Sequence, residues 1–385
     1  MDSTVLANIG PAVQKFIDRG RIPGAVVMVA RHGKVVFFEA FGQDRIDDNR
    51  EYRCDTLVRV YSMTKPATSV AAMMLVEEGK LALADDISRW IPELEGLRVH
   101  LPGQPAGEWP QATPITVYQL LCHTAGFTYG YYGDSYVDRL YGKSRLLSRG
   151  STLDQMAVKL GALPLASQPG SQWRYSIATD VLGLLIQRVS GVEFDHFLQE
   201  RIFEPLEMSD TSFHVPSEKQ SRLADSYLLD SEGKLQVVDA ARTSRVLKRP
   251  DLFSGGGGLV STAEDYMRFC LMLTNLGQWN GNRLLAPETV QQMTTNQLSP
   301  EMMPIDLAGK RVGVGFGYGF SVVVGRVPLA TFTPLHEYGW GGAASTHFWI
   351  SPQHDLVGIA LTQKMPFTLD LENHVKRFVY RAVKD

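Results

Sequence analysis

The stretch VYSMTKPATSVAAMMLVEEG, residues 60–79, says more about this protein than any other part of its sequence. Its apolar residues recur at helical spacing and Gly79 ends the run, so it predicts a buried helix over 62–78. Residues three apart on a helix lie on one face, so the Ser62 hydroxyl and the Lys65 amine can meet. If burial lowers the lysine pKa from about 10.4, Lys65 can accept the serine proton and turn Ser62 into a nucleophile.

The Ser-x-x-Lys spacing is weak evidence by itself. A chain of this length and ordinary composition contains about one such match by chance, and a second match, SEGK at 231–234, is present. Ser231 lies in a polar stretch typical of an exposed turn, whereas Ser62 lies between a strand-like segment and an apolar helix, where a site can be desolvated. On spacing and context alone, Ser62 fits an ordinary helix N-cap as well as a nucleophile.

Strand signals stand at both ends of the chain. GAVVMVA and KVVFFEAFG flank the turn at 31–34 and predict a β-hairpin, and GFSVVVGRV, THFWISP and LVGIALTQ predict strands near the C-terminus. Helices are also predicted at 4–19, 180–189 and 369–383. We therefore expect an α/β (α+β) fold in which the two ends of the chain build one domain around an inserted, mainly helical one. The predicted boundaries are 1–83 and 212–385 for the α/β domain and 84–211 for the helical domain.

Composition excludes several classes of function. The 385 residues are 44% hydrophobic and 21% charged with a net charge of −3, so a large core is expected and nucleic-acid binding is not. No apolar run approaches the roughly 18–20 residues that span a bilayer, and the N-terminus lacks a signal-peptide pattern. Cys54, Cys122 and Cys270 are far apart, which argues against a disulfide framework or a zinc site and favours a reducing cytoplasm.

Two further motifs suit a catalytic cleft. Tyr175, in PGSQWRYSIATDVLG, precedes a predicted buried helix and could pass protons, although a core tyrosine with a satisfied hydroxyl is the ordinary alternative. Trp340, Gly341, Gly342 and Ala343, in HEYGWGGAASTHFWISP, could let a substrate approach the backbone and offer an N–H to an oxyanion. Taken alone, a strand bend at the glycines is the better interpretation.

Together these motifs resemble the serine β-lactamase and penicillin-binding protein superfamily, and within it the family VIII carboxylesterases, relatives of class C β-lactamases. The resemblance extends over nearly the whole chain and rests on RHGKVV, VYSMTK, EEGKLALADDISRWIPEL, LLCHTAGF, YSIATDVLG, SGGGGLVSTAEDYMRF and WGG. It implies a β-lactamase-like fold, with a central antiparallel sheet flanked by helices and an inserted helical domain. It also implies that Ser62 is the nucleophile and not only an ordinary helix N-cap.

Two departures separate the chain from class C β-lactamases. Those enzymes carry Tyr-x-Asn and Lys-Thr-Gly where this chain has Tyr175-Ser176-Ile177 and Trp340-Gly341-Gly342. The missing amide and ammonium help to bind the amide side chain and carboxylate of a β-lactam. Apolar replacements favour neutral acyl groups over anionic lactams, and Trp-Gly-Gly is the variant that family VIII esterases show.

The resemblance implies a serine carboxylesterase that hydrolyses short neutral esters by two-step acyl transfer. Lys65 and Tyr175 together would remove the proton from Ser62, and which of the two is the general base is left open. Tyr175 would then protonate the leaving alkoxide. The backbone N–H groups of Ser62 and Ala343 would bind the oxyanion. No metal or cofactor is implied, the expected partner is a small-molecule ester, and the oligomeric state is left open. The proposed substrate-binding residues are Trp340, Gly341, Gly342, Phe127 and Tyr129, and Tyr131 and Tyr132 are further aromatic candidates for the cleft, with surface or core positions as the alternative.

Competing interpretations have less support. No serine lies in G-x-S-x-G and no H-E-x-x-H occurs, so neither an α/β-hydrolase elbow nor a zinc hydrolase is indicated. We interpret His123 as fixing a loop and Gly255–Gly258 as a strand or turn. A β-lactamase, DD-peptidase, D-aminopeptidase or acyltransferase is an alternative within the superfamily. A non-catalytic binding protein would be expected to have lost at least one of Ser62, Lys65 and Tyr175.

Overall fold

An eight-stranded antiparallel sheet forms the centre of the protein in a computed structural model. The structure describes residues 1–131, 133–148, 150–307, 309–328 and 330–384. The strands are β1 Gly24–Arg31, β2 Lys34–Arg45, β3 Arg50–Glu51, β4 Val58–Arg59, β5 Ser226–Leu229, β6 Leu235–Asp239, β7 Val260–Ser261, β8 Gln278–Trp279, β9 Asn282–Arg283, β10 Ile305–Asp306, β11 Lys310–Arg311, β12 Val314–Phe316, β13 Ser321–Val323, β14 Tyr338–Gly342, β15 Thr346–Ser351, β16 Leu356–Leu361 and β17 Lys364–Met365. The helices are α1 Ser3–Leu6, α2 Ile9–Asp18, α3 Thr64–Glu77, α4 Val117–Leu121, α5 Tyr136–Ser144, α6 Leu153–Gly161, α7 Ala178–Ser190, α8 Phe194–Leu198, α9 Ala263–Thr274, α10 Pro287–Met293 and α11 Asp370–Arg381.

The predicted hairpin is confirmed as β1 and β2. Arg31 pairs with Lys34, and the two residues between them, His32 and Gly33, have φ values of 52° and 70°. Two consecutive positive φ values are typical of the tight two-residue turns whose twist matches that of antiparallel strands. β1 then pairs with β16 on its other side, which joins the two ends of the chain in one sheet. The strand order across this sheet is β12-β13-β14-β15-β16-β1-β2-β3.

Both faces of the central sheet are buried, and β1 shows why. Val26 and Met28 face the core that contains α3, α7 and α9, while Val27 and Val29 face the core that contains α2 and α11. Because side chains alternate along a strand, a run of consecutive apolar residues supplies both cores at once. Each such valine gains about 1.5–3 kcal/mol from full burial.

Helix α3 runs through the larger core, and its side chains from Thr64 to Leu75 are all buried. It packs against α7, which also fulfils its prediction and ends at Gly191 in the left-handed conformation with φ 71°. In the described part of 84–211 the regular elements are helices α4 to α8, as the sequence indicates. The exact domain boundaries stay predictions.

Two predicted helix limits were wrong. The helix over 4–19 is broken into α1 and α2, because Pro11 lacks an N–H and its ring would clash with the carbonyl of Ala7 in a continuous helix. Ala7 instead caps the end of α1 and Asn8 the start of α2, and the Asn8 side-chain amide donates to Thr4 O at 2.9 Å. The catalytic-motif helix begins as a 3₁₀ turn at Tyr61–Met63 and becomes α-helical only at Thr64.

Candidate active site

Ser62 stands on a sharp turn between a short strand and α3. Strand β4 pairs with β7, and the Val60 N–H donates to Leu259 O at 3.1 Å, which fixes the approach. Tyr61 then adopts the left-handed backbone conformation, with φ 45°, which is strained for a residue that has a side chain. The 3₁₀ turn that follows holds Ser62 at the start of α3, half-buried at the edge of the core.

Two side chains, those of Tyr175 and Lys65, meet at the Ser62 hydroxyl. The Tyr175 hydroxyl donates to Ser62 Oγ at 2.7 Å, and the Lys65 ammonium donates to the same oxygen at 3.4 Å. Tyr175 comes from the loop before α7, 113 residues further along the chain. The structure thus brings together the three residues that the sequence selected as candidates, in a geometry that suits proton transfer from the serine.

Lys65 is fully buried, and its surroundings do not fully stabilise the positive charge of its ammonium group. Burial lowers its pKa to about 7, an effect that the carboxylate of Asp180 only partly opposes. The ammonium donates to Gly256 O at 2.6 Å and lies 4.6 Å from the centre of the Tyr175 ring. A lysine with a pKa near neutrality is available as a base in ordinary buffers, which an exposed lysine is not.

Asp180 is a part of this site that the sequence interpretation missed. Its buried carboxylate accepts hydrogen bonds from Ser254 Oγ at 2.5 Å, from the Gly256 N–H at 3.1 Å and from the Tyr129 hydroxyl at 3.4 Å. Burial raises its pKa, and Lys65 opposes that rise. A signal was available, since Asp180 is the one charged residue in the apolar start of α7, ATDVLGLLI.

Gly256 fits this cluster because it has no side chain. A Cβ there would lie 2.4 Å from an Asp180 carboxylate oxygen and 2.6 Å from the Tyr129 hydroxyl. The glycine run at 255–258, interpreted from sequence as a strand or turn, therefore also supplies a carbonyl and an N–H to the buried charges. Its backbone links Lys65 and Asp180 without bringing them into direct contact.

The buried lysine predicts the pH dependence of the reaction. Below its pKa Lys65 is protonated and cannot accept the serine proton, so kcat/KM for an ester should rise with pH through a midpoint near 7. In Asp180→Asn the negative charge that raises the Lys65 pKa is gone, so this acidic limb should move to lower pH. The measurement is kcat/KM against pH for both proteins. Asp265→Asn is the control, since Asp265 is a buried aspartate hydrogen-bonded to Thr211 and should leave the limb in place. A limb that stays fixed or moves to higher pH in Asp180→Asn would contradict the assignment.

Aromatic rings surround the Tyr175 side chain. The centres of the His123, Tyr129 and Trp340 rings lie 4.9, 5.4 and 5.5 Å from that of Tyr175. His123 is itself buried, and burial together with the Lys65 charge holds its pKa well below the usual range, so it is neutral. Its ring nitrogens lie 3.4 Å from Ser176 Oγ and 3.5 Å from Thr179 Oγ1, a position that fixes the loop before α7.

The end of β14 lies against the segment that precedes the nucleophile. A Cβ on Gly342 would lie 2.2 Å from Val60 O, and the Thr346 hydroxyl donates to the same carbonyl at 3.3 Å. Gly341 is also packed against the protein, since a Cβ there would lie 2.8 Å from the Phe367 ring. Both glycines thus make room for the protein's own atoms. Their predicted contact with substrate, like the predicted oxyanion role of Ala343 at the start of the next turn, stays a prediction.

Comparison with known proteins places this arrangement in a family. The family model described as Beta-lactamase matches residues 11–380, almost the entire chain. The chain belongs to the Beta-lactamase family. The predicted superfamily and the predicted fold class, an antiparallel sheet flanked by helices, are thereby confirmed.

Individual proteins are similar to the chain over nearly its whole length. Protein Rv1367c of Mycobacterium tuberculosis is 36% identical over 92% of this chain and 89% of its own, and Esterase EstB of Burkholderia gladioli is 30% identical over 90% of this chain and 87% of its own. Among solved structures, EstCE1, described as a hydrolase with promiscuous acyltransferase activity, superposes with a TM-score of 0.85. It is 28% identical, and the match covers 98% of this chain and 99% of EstCE1. Esterase EstB and the family match together support the predicted enzyme class, a carboxylic ester hydrolase.

The predicted aromatic lining of the site divides into buried and exposed residues. Phe127 has no exposed surface and belongs to the core, and its predicted contact with substrate stays a prediction. Tyr129 stacks on Tyr131 with ring centres 4.9 Å apart, and Tyr131 is 64% exposed. Tyr132 lies outside the described residues. Tyr129 therefore connects the buried charges to a surface-exposed aromatic ring.

No feature of the described residues identifies a metal or cofactor site in this family member. Glu193, Asp195 and His196 lie close enough to share an ion, but the first two already form ion pairs of 2.8 Å with Arg249 near the surface. Cys54, Cys122 and Cys270 are unpaired thiols. Within the described ranges, each helix is too short or too polar to cross a bilayer.

Proposed function

We propose that the protein is a serine carboxylesterase that hydrolyses short-chain neutral carboxylic esters through an acyl-enzyme on Ser62. The observation that carries the proposal is the convergence of Tyr175 and of a lysine with a pKa of about 7 on the Ser62 hydroxyl. The substrate would be a small-molecule ester. The cytoplasmic location, which the unpaired cysteines favour, is part of the same proposal.

The proposed reaction has two steps. The Ser62 proton passes to Lys65 or Tyr175 as Oγ attacks the ester carbonyl, and the N–H groups of Ser62 and Ala343 receive the negative oxygen. Tyr175 gives a proton to the leaving alkoxide as the carbon–oxygen bond breaks, and where Lys65 took the serine proton it passes that proton on to Tyr175, so that an acyl-enzyme with a free base remains. Water then attacks the acyl carbon and loses one proton to the same base, which returns it to Ser62 Oγ as the bond between Oγ and the acyl carbon breaks and the acid leaves.

The surroundings of the nucleophile favour neutral substrates. Ile177 and Trp340 are both buried, and they occupy the sequence positions where class C enzymes carry an amide and an ammonium. The Trp340 ring centre lies 5.5 Å from that of Tyr175. The pKa of Lys65 is about 7, so the side chain is only partly charged at neutral pH, and it donates a hydrogen bond to Gly256 O. Lys65 is therefore a poor partner for a substrate carboxylate. An anionic β-lactam would lose hydration here without gaining a matching charge.

The substrate comparison that tests the proposal uses purified protein with 4-nitrophenyl esters of increasing chain length, a chromogenic cephalosporin and a D-amino acid amide. We expect the highest kcat/KM for acetate or butyrate esters, a value about 10²-fold or more lower for the cephalosporin, and a mass increase of one acyl group on Ser62 after rapid quenching. Faster turnover of the cephalosporin or the amide than of every ester would overturn the assignment to esterases.

Acyl transfer to an alcohol is a second candidate, favoured by the structural likeness to EstCE1. Both reactions share the acyl-enzyme and differ in whether water or an alcohol attacks it. The experiment is the same ester assay with added methanol or butanol, in which ester and acid products are separated. A transferase would give mainly the new ester at moderate alcohol concentration, and a hydrolase mainly the acid.

A further inference from the structure

The turn that joins β14 to β15 contains a strained, buried serine. Ser345 has φ 56°, in the left-handed region, and only 1% of its surface is exposed. A residue with a Cβ in this conformation costs about 1–2 kcal/mol, so the surroundings must hold it there. Ala343, whose N–H is the proposed second oxyanion donor, lies two residues earlier in the same turn.

Hydrogen bonds within the turn and to residues 364–368 hold this turn in place. Within the turn, the Ser345 N–H donates to Gly342 O at 2.9 Å. The Ser345 hydroxyl donates to Lys364 O at 3.0 Å and accepts from the Thr368 N–H at 3.1 Å. The Lys364 N–H donates to Ala344 O at 3.0 Å. The serine side chain therefore ties the turn to residues 364–368 as both donor and acceptor.

Both ends of this connection are anchored. Behind residues 364–368, His347 Nε2 lies 2.9 Å from Thr368 O, and its other ring nitrogen lies 3.0 Å from a Glu372 carboxylate oxygen. In front, Thr346 and Gly342 contact Val60 O, two residues before the nucleophile. The turn thus lies between the Ser62 segment and a loop that is fixed to α11.

We propose that Ser345 is a positioning residue for ester hydrolysis. Its hydroxyl holds the turn in the left-handed conformation that presents the Ala343 N–H to the oxyanion. Ser345 acts through the backbone and does not touch the substrate. The inference rests on the proposed function, because it assigns a step of that reaction to the turn. A displacement of about 1 Å in a catalytic group can cost 10²-fold in rate, so loss of the hydroxyl should affect kcat.

The test compares Ser345→Ala and Ser345→Gly with the wild type. Both variants lack the hydroxyl, but glycine adopts positive φ without strain, so Ser345→Gly should recover some stability. We expect kcat for 4-nitrophenyl acetate to fall about 10–100-fold in both, with KM changed less than about threefold, because the interaction is made in the transition state. The inhibition constant of an alkyl boronic acid, whose tetrahedral adduct with Ser62 needs the same N–H donor, should rise by a similar factor.

Ser244→Ala is the matched control. Ser244 is also a buried serine whose hydroxyl both donates, to Asp239 at 3.1 Å, and accepts, from the Val246 N–H at 3.4 Å. It should keep kcat and the boronic acid constant near wild type even if its thermal midpoint falls as far as that of Ser345→Ala. A Ser345→Ala variant that matches Ser244→Ala in kcat, or a Ser345→Gly variant that regains wild-type kcat, would overturn the positioning role alone. Absence of Ser62-dependent turnover in the wild type would overturn the proposed function as well.

Discussion

Ser62→Ala is expected to lower kcat for 4-nitrophenyl acetate by at least about 10⁴-fold, as removal of an activated nucleophile does in other acyl-transfer enzymes. Lys65 and Tyr175 converge on the Ser62 oxygen, so they have no proton to accept once that oxygen is gone. The measurement is steady-state kcat with protein whose circular dichroism and thermal midpoint match the wild type. The alanine should be tolerated structurally, because Ser62 lies at the start of a helix whose stability comes from buried residues further along.

The chain supplies its own control, the second Ser-x-x-Lys sequence. Ser231 and Lys234 lie in the exposed turn between β5 and β6, where the Asp230 N–H donates to Lys234 O at 2.9 Å. Lys234 forms an ion pair of 3.0 Å with Glu232 in solvent, and so lacks the burial that lowers the pKa of Lys65. Ser231→Ala should therefore hydrolyse the ester at the wild-type rate. Turnover that survives Ser62→Ala, or disappears in Ser231→Ala, would rule out the mechanism.

Lys376→Met is expected to lower the free energy of unfolding by about 3–5 kcal/mol, because it leaves buried carboxylates without their cation. The Lys376 ammonium lies 2.7 Å from Glu337 and 2.5 Å from Glu372, and all three side chains are buried between α11 and the sheet. Tyr380 also donates to Glu337, and this hydrogen bond cannot replace a full positive charge. The measurement is a urea unfolding curve at neutral pH.

The same substitution at an exposed ion pair is the control for this prediction. Lys234→Met removes a pair in which both side chains are about 70% exposed, and such pairs contribute little to stability because water and salt screen them. Its unfolding midpoint should stay close to wild type. Equal losses in the two variants would show that the buried network contributes no more than a surface pair. Glu372 also contacts His347, and His347 contacts Thr368 O in the loop at 364–368. Loss of the Lys376 charge should loosen this loop, so Lys376→Met should additionally reduce kcat.

Much of the fold follows from local sequence patterns. The β1–β2 hairpin, α3 and α7 were predicted because strand alternation, helical spacing and turn residues act within a few neighbouring positions. Pro11 shows the same principle where the prediction failed, since one missing N–H broke a helix that the apolar spacing alone would have continued. The 3₁₀ turn at Tyr61–Met63, by contrast, has no local sequence pattern that would have predicted it.

The sequence by itself determined that Ser62 and Lys65 lie one helical turn apart and that Tyr175 precedes a buried helix, because each of these relations is set within a short segment. Only the tertiary structure decided that Lys65 is buried deeply enough to have a pKa of about 7, and that Asp180 and Gly256 are its neighbours. It also decided that Ser345 fixes the turn after β14. Asp180 and Gly256 lie more than 100 positions from Lys65 in the sequence, and a local pattern does not show which distant groups will exclude water from a side chain.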